Sequence, residues 1–397
     1  MSNRVLTGLQ KLINTPDLQD KYKGNIGILC HSASIDNDYN HALVKFIEMF
    51  GDRVKKVFGP QHGFVTDVQD NMIETDHFTH PYFKLPIYSL YSETRIPTDE
   101  MLEGIDHLFI DLQDVGTRIY TYIYTMTYAL EACANKNIEV IILDRPNPIN
   151  AKDIEGNILD TKFASFVGRH PIPVRHALTI AEVAIMHQKF WAKDKCNLDI
   201  IKMENYNRSM SFEDTKLPWV MPSPNLPTVE GCYTFVGTVL FEGTNISEGR
   251  GTTRALEIVG HPDINPWDFE KKLNKRFSEL NLKGFILRAI NFQPTFQKHA
   301  KVNCGGFQIH VTDREKFKPW RVCQILCQEI YNEIGASFKY KEDAYEYGDG
   351  LNPLDMINGT DKLRSWLENN GSYEQLEQIE SHGQKIYLEQ RKESLIY

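Results

Sequence analysis

The residues of this chain best suited to chemistry are acids, and they come in closely spaced pairs. Asp111 and Asp114 stand in Asp111-Leu112-Gln113-Asp114-Val115-Gly116, Glu74 and Asp76 in Met72-Ile73-Glu74-Thr75-Asp76-His77, and Glu242 and Glu248 in the glycine-rich segment Phe241 to Thr253. Two carboxyl groups on one crevice are what glycosidic cleavage requires: one protonates the leaving oxygen, and the other acts as nucleophile or as base for water. There are more candidates than roles. Asp111 and Asp114 are equally placed to cap the helix that follows them, whose amino-terminal dipole favours anions. Asp144 beside Arg145 reads as a structural ion pair as readily as a site pair, and Glu74 and Asp76 as solvated loop acids.

Groups that hold a polar ligand lie in the same text. Gly243, Gly249 and Gly251 let backbone N–H groups come close to a ligand, and Arg250 between them can grip a carboxylate bidentately. GxGxxG is absent, so the segment is not a dinucleotide motif, and no cofactor is expected. Tyr120, Tyr122 and Tyr124, with Tyr88 and Tyr91, form either a stacking platform for sugar rings or part of the core. His62 and His77 lack HxH or HxxxH spacing, so no metal site is expected.

Short apolar runs must position these groups: Ile26 to Cys30, Val54 to Phe58, Ile87 to Leu90, Leu108 to Leu112 and Val140 to Leu143. Helical spacing at Leu43, Phe46, Ile47 and Phe50, and at Tyr122, Met126, Ala129, Leu130 and Cys133, falls between them. Alternation of this kind predicts a largely parallel α/β sheet, whose ligands bind beyond the carboxyl ends of the strands. The polar text follows three of those ends, at Gly59-Pro60-Gln61-His62-Gly63-Phe64, at Asp111 to Gly116 and at Asp144-Arg145-Pro146-Asn147-Pro148. Thr179-Ile180-Ala181-Glu182 is a capping box for a helix ending near Trp191. Residues 204–235, rich in Pro, Asn and Ser, read as a long functional loop or linker. The division is expected there, with an α/β domain over 1–235 and a smaller α+β domain over 236–397. The second domain opens a helix at Asn265-Pro266, has strands at Gly284 to Ile290 and Gly306 to Thr312, and a helix through Val322, Ile325, Leu326, Ile330 and Ile334. The last 35 residues predict a surface helix pair.

With 397 residues and a formal net charge of −9, the chain carries no basic stripe, which argues against a nucleic-acid partner. Seven scattered cysteines without CxxC spacing read as reduced thiols. The amino terminus lacks the apolar run of a signal peptide, and no stretch of about 18 apolar residues occurs, so the expectation is a cytoplasmic protein without a membrane span.

Taken in order, Gly59 to Phe64, Tyr88-Ser89-Leu90-Tyr91, Asp111 to Arg118, Asp144 to Pro148, Pro222-Ser223-Pro224-Asn225 and Phe241 to Thr253 resemble the exo-β-N-acetylmuramidase (NamZ) family. The resemblance runs from about residue 24 to the carboxyl-terminal helix. It implies a Rossmann-like first domain, a smaller second one, and an active site in the cleft between them. It also implies exo-acting hydrolysis of β-1,4-linked N-acetylmuramic acid at the non-reducing end of peptidoglycan fragments, without a cofactor. On these motifs Gln61, His62, Arg118, Tyr120, Asn225, Glu242, Asn245 and Arg250 are the expected substrate contacts, with Arg250 suited to the lactyl acid of the sugar. One position departs from the family: many members have Glu where this chain has Gln61, and an amide is neither acid nor base near neutral pH. The acid then comes from Glu74, Asp111, Asp114 or Glu248, with Glu74 and Asp114 preferred. Otherwise this branch is a silent amino-sugar or muropeptide binder, or cleaves a related sugar such as N-acetylglucosamine.

Overall fold

The computed structural model describes residues 4–70, 72–348 and 350–397. The predicted apolar runs form the middle of a seven-stranded sheet. Its strands begin with β1 (Ile26–Cys30), β2 (Val54–Gly59), β3 (Phe78–Thr79), β4 (Pro86–Ser89), β5 (His107–Asp111) and β6 (Glu139–Leu143). After a separate hairpin, β7 (Glu155–Ile158) and β8 (Pro173–Arg175), β9 (Asn197–Ile201) closes the far edge. The order is β3-β4-β2-β1-β5-β6-β9, parallel throughout except for β3 against β4.

Side chains alternate between two buried faces. Ile26, Ile28, Phe109, Ile141 and Leu143 join one apolar cluster with Leu9, Leu12, Leu43 and Phe46. Leu29, Leu108, Ile110, Val140 and Ile142 join the other with Ile123, Met126, Leu130 and Ala184. Helices on both faces explain why these strands read as continuous apolar runs rather than as an alternation.

The second part is built on an antiparallel sheet ordered β10-β12-β11, from β10 (Ile258–His261), β11 (Phe285–Phe292) and β12 (Cys304–Val311). Helices Pro266–Glu279 and Pro319–Ile334 accompany it, the first capped by the Asn265 side chain. The larger apolar cluster is continuous across both parts, taking in Leu108, Val236, Leu240, Phe307 and Leu326.

Two expectations are corrected. The stretch 204–235 is not loop throughout: Thr228 caps a buried helix, Val229–Thr238, that runs past residue 235. Its two glycines and β-branched residues are poor intrinsic helix formers, so burial decides its conformation. Gly237 lets it approach helix Pro319–Ile334, because a Cβ there would lie 2.2 Å from the Pro319 carbonyl oxygen. The carboxyl-terminal region is also more than a surface pair. Helices Tyr373–Ser381 and Gln384–Lys392 bury Leu376 and Tyr387, and Glu380 accepts from the Gly156 N–H of β7 at 3.0 Å. All seven cysteines are free thiols, and among the described residues no helix is long and apolar enough to cross a membrane.

Candidate active site

Beyond the carboxyl end of β2 lies a small cavity of about 50 Å³. Gln61 and His62 from the loop after β2 form one wall, and Tyr120, Thr121 and Tyr122 at the start of helix Tyr122–Cys133 form the next. Ser223 and Asn225, then Phe235 and Val239, then Glu242 and Arg250 continue around it, and Tyr345 and Glu346 close it from the carboxyl-terminal part. Both halves of the chain therefore contribute, with apolar walls and a few convergent polar groups, the usual make-up of a small-ligand site.

The polar groups hold one another in fixed orientations. Arg250 is ion-paired with Glu242, and its Nε lies 3.0 Å from a Glu248 oxygen. Tyr345 donates its hydroxyl to Glu242 Oε2 at 2.5 Å. Behind them Lys298 donates to Glu248 at 2.7 Å and to the carbonyls of Phe241 and Ile246. Burial alone would raise the Glu248 carboxyl, but Lys298 and Arg250 outweigh it and hold it below its ordinary value.

Glu346 is only 2% exposed and sits in a different environment. Its oxygens accept from the Gln61 amide at 3.0 Å and from the Tyr91 hydroxyl at 2.8 Å. Burial pushes its carboxyl up to about 7, with Glu242 adding to the rise and the Tyr91 hydrogen bond opposing it. Gln61 is itself pinned, because its Oε1 accepts from the Thr121 hydroxyl at 2.6 Å. His62 has φ 69° and hydrogen-bonds the Val68 carbonyl through Nδ1 at 3.1 Å. That partner places the proton on Nδ1 and leaves Nε2, 3.2 Å from the Ser223 hydroxyl, as an acceptor. Burial, then the charge of Arg250, pushes this imidazole down to about 4, so it is neutral near pH 7.

Comparison with known proteins decides the family. The model of the exo-β-N-acetylmuramidase NamZ amino-terminal domain matches residues 26–230, and that of its carboxyl-terminal domain matches 233–397. The chain belongs to the NamZ family. It is 39% identical to the peptidoglycan β-N-acetylmuramidase NamZ of Bacillus subtilis strain 168, over 99% of this chain and 92% of that protein. Among solved structures it is similar to two DUF1343 family proteins of Bacteroides fragilis, each 26% identical. One has a TM-score of 0.87 over 99% of each chain, and the other 0.75 over 100% of this chain and 99% of its own.

In this NamZ-family chain the expected site residues separate into two groups. Gln61, His62, Tyr120, Asn225, Glu242 and Arg250 line the cavity. Glu248 stands directly behind Arg250, and Glu74 is exposed, does not line the cavity and accepts from the Tyr347 hydroxyl at 2.8 Å. Asp111, Asp114, Arg118 and Asn245 do not line it. Asp111 is fully buried and both its oxygens are held by Arg145, at 2.5 and 2.8 Å. Asp114 accepts from the Gly116 N–H at 2.7 Å and lies 3.2 Å from His176 Nε2. Neither aspartate caps helix Tyr122–Cys133. Arg118 is spent on four backbone carbonyls, and Asn245 binds the Ser337 carbonyl at 2.8 Å and the Lys339 N–H at 2.9 Å.

The sequence reading missed Tyr345 and Glu346. They follow Lys339-Tyr340-Lys341-Glu342-Asp343, a charged stretch that reads as solvated surface. The one available signal was a pair of tyrosines flanking a single acid.

Proposed function

We propose that this chain is an exo-acting glycosidase that releases N-acetylmuramic acid from the non-reducing end of peptidoglycan fragments, as in cell-wall turnover. The reading rests chiefly on one coincidence: family membership extends along the whole chain, and the cavity built from both halves holds two buried carboxyl groups. Glu242 is ion-paired with Arg250, and Glu346 is held by uncharged donors. Two carboxyl groups in unlike surroundings suit an acid and a nucleophile or base. Arg250 supplies positive charge for the lactyl carboxylate, and Asn225, Ser223 and His62 line the same cavity as its polar side chains toward the sugar.

The test is release of N-acetylmuramic acid from its 4-nitrophenyl β-glycoside and from the N-acetylmuramyl–N-acetylglucosamine disaccharide, with 4-nitrophenyl β-N-acetylglucosaminide as competitor. A charge-assisted contact to the lactyl acid is worth about 1.5–3 kcal/mol, so kcat/KM should favour the muramide by roughly tenfold to a hundredfold. Arg250→Lys, which keeps the charge but loses the planar fork, should narrow that ratio. Equal rates on the two aryl glycosides would remove muramic acid as the preferred sugar, and no release from any of them would end the glycosidase reading.

A further inference from the structure

Glu346 is held in the cavity by a strained turn. Gly348 N–H donates to the Tyr345 carbonyl at 2.9 Å, and between them Glu346 and Tyr347 have φ of 44° and 61°. Positive φ at both central residues is the backbone of a type I′ turn, whose usual occupants are Asn-Gly. Side chains bearing a Cβ are disfavoured there, and such conformations persist where surrounding contacts over-determine them, often at functional sites. Here the contacts are specific. Tyr345 reaches Glu242, and Tyr347 reaches Glu74 with the Arg95 guanidinium 3.8 Å from its ring. Glu346 is received by Gln61 and Tyr91.

We propose that Glu346 is the proton donor of the glycosidic cleavage and that Gln61 is its positioning residue; the proposal rests on the glycosidase reading above. The bond between the anomeric carbon and the leaving oxygen breaks with its electron pair passing to that oxygen, which takes the proton from the Glu346 carboxyl. The anomeric carbon gains an electron pair either from Glu242 directly, with water later displacing it and giving its proton to Glu346, or from a water whose proton passes to Glu242. Each Glu346 oxygen has a second lone-pair direction beyond the one met by Gln61 or Tyr91, so the acid proton can sit toward the cavity. Burial, which pushes this carboxyl up to about 7, keeps a protonated fraction near neutral pH. The Gln61 amide donates to Glu346, which orients the carboxyl and mildly favours its ionised form, but it adds no second titrating group, whereas a carboxyl at that 3.0 Å contact would share a single proton with Glu346. The acid missing from position 61 is thereby supplied by its neighbour in space, Glu346 from the carboxyl-terminal part.

The test compares leaving groups of different need for protonation. In Glu346→Gln, kcat on the disaccharide should fall by about 10²- to 10³-fold. Turnover of the nitrophenyl muramide, whose leaving group departs without help, should fall less than about tenfold. The wild-type decline of kcat/KM on the disaccharide as pH rises through about 7 should also vanish. Equal losses on both substrates, or a retained basic limb, would overturn the acid assignment while leaving the glycosidase reading intact. A wild type inactive on every substrate would overturn both. Tyr91→Phe gives a second reading independent of folding losses at Glu346. Removing a hydrogen bond that favours the carboxylate should move the basic limb to higher pH, and an unmoved limb counts against the proposal.

Discussion

Replacement of Glu242 by glutamine is expected to lower kcat on both the aryl muramide and the disaccharide by about 10⁴-fold, the upper end of what a positioned acid–base group contributes. The group that meets the anomeric carbon, or activates water for it, is needed whatever the leaving group is, so this variant should not discriminate between substrates as Glu346→Gln does. Glu242 is the cavity carboxylate fitted to that task. It is oriented by Arg250 and by the Tyr345 hydroxyl at 2.5 Å, and it lines the same cavity as Glu346. Glutamine keeps the volume and one of the two acceptor oxygens; the Tyr345 hydroxyl, on the other oxygen, can turn to accept from the new amide, and Arg250 retains Glu248 at 3.0 Å, so the guanidinium is not stranded. Steady-state rates on the two substrates, with a thermal melt alongside, make the measurement. Substantial activity in a well-folded variant would remove Glu242 from that role.

The second large effect is on stability. Arg118 is fully buried and donates to the carbonyls of Asn157 at 2.9 Å, Ile172 at 3.0 Å, Ile357 at 3.1 Å and Asn358 at 2.8 Å. It thereby ties the β7–β8 hairpin region to helix Pro353–Asn358 of the carboxyl-terminal part. Burial pulls its guanidinium down to about 10, still far above working pH, so the charge is spread over carbonyl dipoles rather than paired. Arg118→Met keeps much of the bulk but leaves buried carbonyls without their donor, and a loss of about 3–5 kcal/mol is expected. For a chain of this size that is a melting-temperature drop of about 4–6 °C. Because Arg118 does not line the cavity, KM per folded molecule should be nearly unchanged well below the melt. A raised KM with an unchanged melt would return Arg118 to the substrate contacts.

Much of the fold was legible because its signals are local. The parallel strands announce themselves as β-branched apolar runs, buried on both faces, and Thr179 and Asn265 mark helix starts through their side-chain caps. Helix Val229–Thr238 was not legible, since its glycines argue against it and only contact with Pro319–Ile334 makes it stable. Among the acids, spacing could not rank Asp111 against Glu242. Both are short-range neighbours of polar text, yet one is fully buried against Arg145 and the other lines the cavity.

By itself, then, the sequence determined the α/β sheet and the family, along with several wall residues, Gln61, His62, Asn225 and Arg250 among them, because ordered motifs and strand ends are properties of contiguous text. Which carboxyl groups meet was decided only by tertiary structure. Glu346 reaches Gln61 across 285 positions of chain and Tyr91 across 255, and its environment, uncharged donors within a buried wall, exists only once both halves have closed on the same cavity.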